Sequence, residues 1–496
     1  MSLSSYSQKA VKAMSFAEHQ NQIPDPTRWR ALLVIAIAQL MVVLDSSIVN
    51  IAIPSAKIDL GISDANQSWV VTSYTLAFGS LLLLGGRIAD FIGRKKSFII
   101  GLLGFAGASA LGGLAQSQEI LFASRALQGA FGALLTPAAL SLINVTFTIP
   151  KERARAFGVY GAISGGGAAI GLILGGALTE FASWRWCLWV NVPIAIIAVL
   201  LAFPFVHESK AGGEHSYDFP GTVTATLGLL SLVYGFTKAA KDGWATTSTL
   251  YFFGIAGILL VAFFLIEKNV KNPLLPLRII TERNRGGSYL GSMMVGAGLF
   301  SMFLFLGLYL QVILGYSPLR TGFAFLPFSI GIIIFAGVAS QLLPRVGPKP
   351  LIIWGLLQAT VGLILLTRIT PETGYITHVL PSLIIMSTGM ALVFIPISTT
   401  ALHGIGGRDS GVASAALNTS QQVGGSLGTA LLNTIAATSA ANYLVNHPNL
   451  GNKAQFFALT HGYTASFKAG AAMLIAGAIV MMVFIKVGKE SLVEKA

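Results

Sequence analysis

A carboxylic acid at position 45 and a guanidinium at position 125 each interrupt an apolar run of the sequence. Asp45 falls in "MVVLDSSIVNIAIP", residues 41 to 54, and Asp90, Glu119 and Glu180 all lie nearer the ends of such runs. Arg125 is the one Lys or Arg inside a run. A charge at the centre of a lipid-spanning helix costs about 2.5 to 3.5 kcal/mol or more. Asp45 must therefore face a cavity, pair with a cation or hold a proton, and low dielectric favours the neutral acid. A structural acid bonded to a neighbouring hydroxyl or amide is the alternative. Arg125 keeps its charge, so its work is electrostatic, organising a cavity or biasing the protonation of a nearby acid. Snorkelling, or bonding to freed carbonyls, would explain it as well.

A second charged cluster sits where a two-residue turn would have sufficed. "GGRIADFIGRKKS", Gly85 to Ser97, places Asp90 opposite Arg94, Lys95 and Lys96, with Gly86 and Gly93 permitting tight backbone geometry. An ion-pair latch is one reading; simple enforcement of membrane orientation is the other. "GGGAAIGLILGG", Gly165 to Gly176, carries Gly171, Gly175 and Gly176 at a spacing that lets two helices approach closely, by packing alone or by sealing a route between halves.

The elements holding these residues are membrane helices. Hydrophobic residues make up 54% of 496 and charged residues only 10%, against roughly 25% in soluble domains. About 20 apolar residues cross the hydrocarbon, and the runs give fourteen expected spans. They centre near Leu40, Phe78, Gly107, Leu134, Gly167 and Ala195, then Leu229 and Leu259, then Phe303, Gly331, Gly362, Ala391, Ser426 and Ala476. With the N-terminus inside, most Lys and Arg fall in cytoplasmic loops and tails, for example Arg94 to Lys96, Lys151 to Arg155 and Lys268 to Arg285. This favours an even count with both termini cytoplasmic.

The organisation reads as six plus two plus six: a cytoplasmic tail over 1–29, a bundle over 30–206, a linker with two extra helices over 207–284, a bundle over 285–487 and a tail over 488–496. A weak repeat supports it, because the stretches from Thr136 and from Ile395 share a Pro within a span, a short basic loop and a Gly- and Ala-rich span. The net charge of +13 is dispersed between apolar runs, which argues against nucleic acid. Cys187 is the single cysteine, His never falls in a ligand spacing, and no Walker-type loop is present. No cofactor or metal is expected.

The chain resembles the major facilitator superfamily, and within it the fourteen-helix drug/proton antiporters. Gly86, Ala89, Asp90, Gly93, Arg94 and Lys95 match the loop signature of the superfamily, and Leu44, Asp45, Ile48, Val49, Asn50 and Pro54 the first-span signature of those antiporters. Arg125, Gln128 and Gly129 resemble the fourth-span motif, and "SWRWCLWVNVP", ending at Pro193, adds support. Gly171, Gly175 and Gly176 match the antiporter motif, but Leu172 stands where that motif usually has Pro. "PRVGPKP", from Pro344, is a degenerate copy of the basic loop without its Asp.

The resemblance implies an all-helical transporter, two six-helix bundles around a midplane cavity, in the cytoplasmic membrane. It would exchange protons through Asp45 and Arg125 for amphipathic drug-like cargo and act as a monomer, with a periplasmic adaptor left open. Tyr74, Gln128, Phe303, Phe305, Tyr309, Gln311, Asn418, Gln421 and Gln422 are candidates to line the cavity, helix packing being the alternative for each. Apolar walls with a few polar groups suit neutral or singly charged amphipaths. Export of an endogenous lipid, siderophore or secondary metabolite is a second reading. A membrane enzyme or sensor is a third, although the sequence has neither a cluster of catalytic side chains at a membrane face nor a soluble output domain.

Overall fold

In a computed structural model, the protein is described over residues 26–64, 66–210, 218–270, 273, 277–405, 410–447 and 454–488. Most of both expected tails therefore lies outside the described residues. The first six long helices are α1 (Arg28–Leu60), α2 (Trp69–Ile92), α3 (Arg94–Gly113), α4 (Gln118–Thr146), α5 (Pro150–Phe181) and α6 (Trp186–Phe205, interrupted at Val190). Two inserted helices follow, α7 (Phe219–Asp242) and α8 (Thr247–Asn269). The second set is α9 (Arg283–Ile313), α10 (Pro318–Val346), α11 (Pro348–Leu366), α12 (Tyr375–Leu402), α13 (Ser410–Asn446) and α14 (Ala454–Phe484).

Local chemistry sets the ends of these helices. Gly61 adopts φ +63° after α1 and returns its N–H to the Lys57 carbonyl, a left-handed cap that costs glycine nothing. Ser117, Ser317 and Glu282 cap α4, α10 and α9 through their side chains.

Among the described residues, eleven helices are long and apolar enough to cross a bilayer. The number is twelve if α2, bent by 56° between Leu82 and Leu84, counts as one span. The expected fourteen is thus not reached on length and composition. α13 falls short, being diluted by Gly, Ala, Ser, Thr and amides although it runs 37 residues, and α5 counts only as the shorter apolar stretch Gly167–Phe181.

Within the first bundle α4 packs on α2 and α3, and α1 on α5 and α6; within the second, α9 packs on α13 and α14, and α11 on α12 and α14. Two seams join the bundles, α5 against α10 and α2 against α13. The inserted α7 lies along the second seam: Trp69 Nε1 of α2 donates to Thr237 Oγ1 at 3.0 Å, and Thr434 Oγ1 of α13 donates to the Phe236 carbonyl at 2.8 Å. The repeated stretches occupy equivalent places, each running from the fourth helix of its bundle into the fifth, with Pro137 inside α4 and Pro396 inside α12.

Polar contacts sort the loops onto two ends of the molecule. At the near end, where α1 begins, Arg28 Nε meets Glu152 Oε2 at 2.8 Å. At the far end Arg185 pairs with Asp59 and donates from Nη2 to the Ala115 carbonyl at 2.8 Å.

Candidate functional site

α1, α3, α4 and α6 bring their polar residues to one point. Arg125 Nη1 of α4 donates to Asp45 Oδ2 at 2.6 Å, and both side chains are almost wholly buried, at 1% and 0% exposure. Gln128 lies three residues on, on the same helix face. Its Nε2 donates to Asp45 Oδ1 at 2.9 Å, and its Oε1 accepts from Arg125 Nη1 at 2.7 Å. Asn191, the first residue after the break in α6, donates from Nδ2 to Asp45 Oδ1 at 2.8 Å and to Ser109 Oγ of α3 at 2.9 Å. Ser109 Oγ also accepts from Gln128 and donates to the Leu188 carbonyl.

The carboxylate accepts three hydrogen bonds and donates none, the arrangement of its ionised form. Charge compensation comes from Arg125, whose Nε donates to the Val70 carbonyl at 3.1 Å and whose Cζ stands 4.5 Å from the Tyr74 ring centroid. Close backbone approach makes this possible. A Cβ on Gly129 would sit 2.3 Å from the Tyr74 carbonyl oxygen, so only glycine lets α4 lie this close to α2.

The loop between α2 and α3 is a second cluster. Arg94 bonds Asp90 at 3.0 Å across Gly93, tying the end of one helix to the start of the next without reaching the second bundle. Glu208, from the segment after α6, accepts from the backbone N–H of Lys95 at 3.1 Å and of Lys96 at 3.2 Å. It caps α3 from a distance, where Gly93 has no side chain to do so. Gly93 has φ +118°, and its Cβ would sit 2.7 Å from the Glu208 carboxyl, so conformation and space both demand glycine. Lys95 Nζ donates to the Phe203 carbonyl at 2.8 Å. Gly86 is in ordinary contact with Pro137, whereas at Gly85 a Cβ would come within 2.0 Å of the Ala133 carbonyl oxygen. The closer crossing is therefore at Gly85.

The α5 glycines divide their work. Gly171 and Gly175 pack against Ser47 and Ile48 of α1 inside the first bundle, but Gly176 lies against Pro318 and Leu319 of the second. Glu180, one turn on, accepts from the Leu319 N–H at 3.0 Å, and Gln311 Nε2 donates to the Ile51 carbonyl at 3.1 Å. Gln67 Nε2 donates to Asn433 Oδ1 at 3.2 Å. These contacts hold the two bundles together toward the far end.

The residues expected to line a cavity separate into three groups. Tyr74 and Gln128 belong to the Asp45 cluster. Phe305 and Tyr309 are fully buried in the second bundle, Phe305 against Tyr463 and Tyr309 with its hydroxyl donating to the Thr370 carbonyl at 2.8 Å; packing accounts for both. Phe303 packs against Phe325 and Phe328, and Gln311 bridges the bundles. On α13, Asn418 is exposed while Gln421 and Gln422 are half-buried near the α2 seam, Gln422 opposite Gly79. Asn191, Ser109, Glu208 and the cap made by Glu180 were not anticipated. A polar residue two positions after Trp189 in an apolar run was the signal for Asn191. A cavity of about 470 Å³ at the far end, lined in part by Trp244, Tyr443, His447 and His461, was not anticipated either.

Two helical bundles joined along two seams, with a buried acid-base pair in the first, describe a polytopic membrane protein with the two-bundle architecture of transporters. The chain belongs to the Major Facilitator Superfamily, whose sequence profile matches residues 35–429. It is 47% identical over 467 residues to a puromycin resistance protein of Streptomyces alboniger, covering 94% of this chain and 92% of that one. A cephamycin export protein of Amycolatopsis lactamdurans is 35% identical over 84% of this chain and 86% of its own length. Among solved structures, a bacterial homologue of the human lysosomal transporter Spinster, in an inward-facing and unoccupied conformation, superposes with a TM-score of 0.66. It covers 95% of this chain and 99% of that one, at 16% identity.

Proposed function

We propose that the protein is a proton-coupled antiporter that exports amphipathic, drug-like compounds across the cytoplasmic membrane by alternating access. The observation that carries this reading is the fully buried Asp45, held in its ionised form by Arg125, Gln128 and Asn191. Putting a proton on this carboxylate removes the charge that Arg125 answers. Proton uptake must therefore loosen α4 from α1, and proton release must draw them together. Such a two-state element is what coupling requires. One charge crossing 100 mV yields about 2.3 kcal/mol, enough to sustain roughly a 50-fold gradient of a neutral solute.

The relatives named for puromycin resistance and cephamycin export support export as the direction and antibiotics as the cargo class. Basic residues at the near end, Arg28, Arg30, Arg94 to Lys96 and Lys486 among them, support a cytoplasmic near face. In this reading α5 and α13 also cross, giving fourteen spans, because helices facing a polar interior need less apolar surface. The contacts at Gly176, Glu180, Gln67 and Gln311 then close the outer face. Export of an endogenous secondary metabolite is a second reading, favoured by relatives that include a probable actinorhodin transporter of Streptomyces coelicolor.

The test is transport in proteoliposomes under an imposed pH gradient, with a panel of neutral, monocationic and dicationic dyes. The expected result is gradient-dependent uptake of the first two classes into vesicles in which the protein is inverted. Cargo movement indifferent to the pH gradient would refute the coupling.

A further inference from the structure

We infer that Asn191 is the residue that receives the proton-bearing oxygen of Asp45, turning its side-chain amide over each time the acid changes its protonation state. The inference rests on Asp45 being the proton carrier and adds a second, positioning residue to it.

The argument begins with which groups can answer a neutral acid. A carboxylate only accepts, whereas a carboxylic acid must also donate its O–H, and in a buried site an unanswered donor is costly. Asp45 Oδ2 faces Arg125, which has donors and no acceptor. The incoming proton is therefore accommodated at Oδ1, where Gln128 Nε2 and Asn191 Nδ2 now donate. One of these two amides has to present its oxygen instead.

Gln128 cannot do so cheaply. Its Oε1 already accepts from Arg125 Nη1 at 2.7 Å, and reversing the amide would set its NH2 against the guanidinium. Ser109 cannot either, because its Oγ makes no bond to Asp45 and already accepts from both Gln128 and Asn191. Asn191 is different. It is 0% exposed, and its Oδ1 is buried with no hydrogen-bond partner while its Nδ2 makes both bonds. A buried amide with an unanswered acceptor is the exception in native structures, and here it stands beside the one group whose donor count changes. A half-turn about χ2, a broad two-fold torsion, brings Oδ1 to Asp45 and withdraws Nδ2. Oδ1 then also faces Ser109 Oγ, whose hydroxyl proton turns from the Leu188 carbonyl toward it while the bond from Gln128 is kept. The acid's proton stays on Asp45; the amide and this hydroxyl move.

The titratable and charged neighbours of Asp45 come from three helices. They are Arg125 on α4, Tyr74 on α2 beneath the guanidinium, and Cys187 in the first turn of α6, its Sγ directed at the Gly175 carbonyl. From α5, Gly171 packs beside this stretch of α1 and brings no ionisable group.

The experiment is pH-difference infrared spectroscopy on the full chain in lipid nanodiscs, unlabelled and with carbonyl-13C asparagine. Asp45→Asn identifies the carboxyl band that belongs to Asp45. The expected wild-type spectrum contains an asparagine-sensitive amide band that rises and falls with that carboxyl band. Asn191→Leu should abolish the amide band and move the carboxyl stretch of protonated Asp45 to higher wavenumber, toward that of an unbonded acid. Ser109→Ala, which touches both amides but not Asp45, should keep the amide band. An Asp45 carboxyl band that titrates without any asparagine-sensitive partner in the labelled wild type would overturn the inference while leaving Asp45 as the carrier. If no band is lost in Asp45→Asn, the carrier reading fails, and this one with it. The labelled wild type decides the matter even if Asn191→Leu does not fold.

Discussion

The two six-helix bundles use their buried polar groups in opposite ways. In the first, Asp45, Arg125, Gln128, Asn191 and Ser109 bond one another across four helices. In the second, none of the buried polar side chains among the described residues carries a charge, and many hydroxyls fold back on their own helix. Thr360 bonds the Leu356 carbonyl, Ser382 the His378 carbonyl and Thr400 the Pro396 carbonyl. Local back-bonding satisfies a group without linking helices, whereas the first bundle's network makes helix positions depend on a charge. Under the proposed function, the proton chemistry belongs to the first bundle and the second is its packing partner.

The largest way to break this contrast is Arg125→Met. It strands a buried carboxylate, so destabilisation of about 3 to 5 kcal/mol is expected, read as a large fall in thermal midpoint in detergent. Thr360→Val in the second bundle should cost no more than about 1 kcal/mol. Equal losses would erase the distinction.

Packing, by contrast, should be shared. Gly85→Ala places a Cβ 2.0 Å from the Ala133 carbonyl oxygen in the first bundle, and Gly424→Ala one at 2.0 Å from the Met293 carbonyl oxygen in the second. Both should lose about 1 to 3 kcal/mol. Gly107→Ala, with nothing within 4 Å of its Cβ, is the silent control.

A smaller effect separates the two basic loops. Glu208→Gln weakens the cap on α3 by about 1 kcal/mol, which should slow alternation of accessibility to cysteine reagents while leaving cargo binding intact. Arg345→Ala, in the last turn of α10 beside a turn that has no Asp, should leave the rate as it is. A matching slowdown there would mean that both loops gate.

The smallest expected effect is a pH dependence at the near end. The hydrogen bonds from Arg28 hold the Glu152 carboxyl below its ordinary range. A depressed value means stability present above the unfolded-state value of about 4.5 and lost as pH falls through the folded one. Arg28→Ala should flatten the acid limb of the thermal midpoint slightly, with no change at neutral pH.

The parts of this arrangement that the sequence revealed are those where a charge contradicts its surroundings. Asp45 and Arg125 were visible because ionised groups in apolar runs need a reason, and the glycine-flanked loop because Gly93 has no other use there. Asn191 and Ser109 were not, since an uncharged polar residue in a membrane helix is common and its partners lie on other helices. Glu208 was hidden for the same reason, capping a helix that starts 114 residues earlier in the chain. Phe305 and Tyr309 show the converse limit, because aromatic residues in a span look alike whether they line a cavity or fill a core. The span count differs at α13, which Gly, Ala and amides dilute, and at α5, whose apolar stretch Gly167–Phe181 is short; these helices form the two seams together with α2 and α10.

The central claim is that Asp45 couples proton movement to cargo, and Asp45→Asn addresses it directly, keeping size and polarity while removing the titratable proton. The measurement is proton-driven transport by the reconstituted variant under an imposed pH gradient, alongside cargo binding at equilibrium. The expected result is binding within a few-fold of the wild type and loss of transport driven by the gradient. Full gradient-driven transport by a well-folded Asp45→Asn protein would contradict the claim.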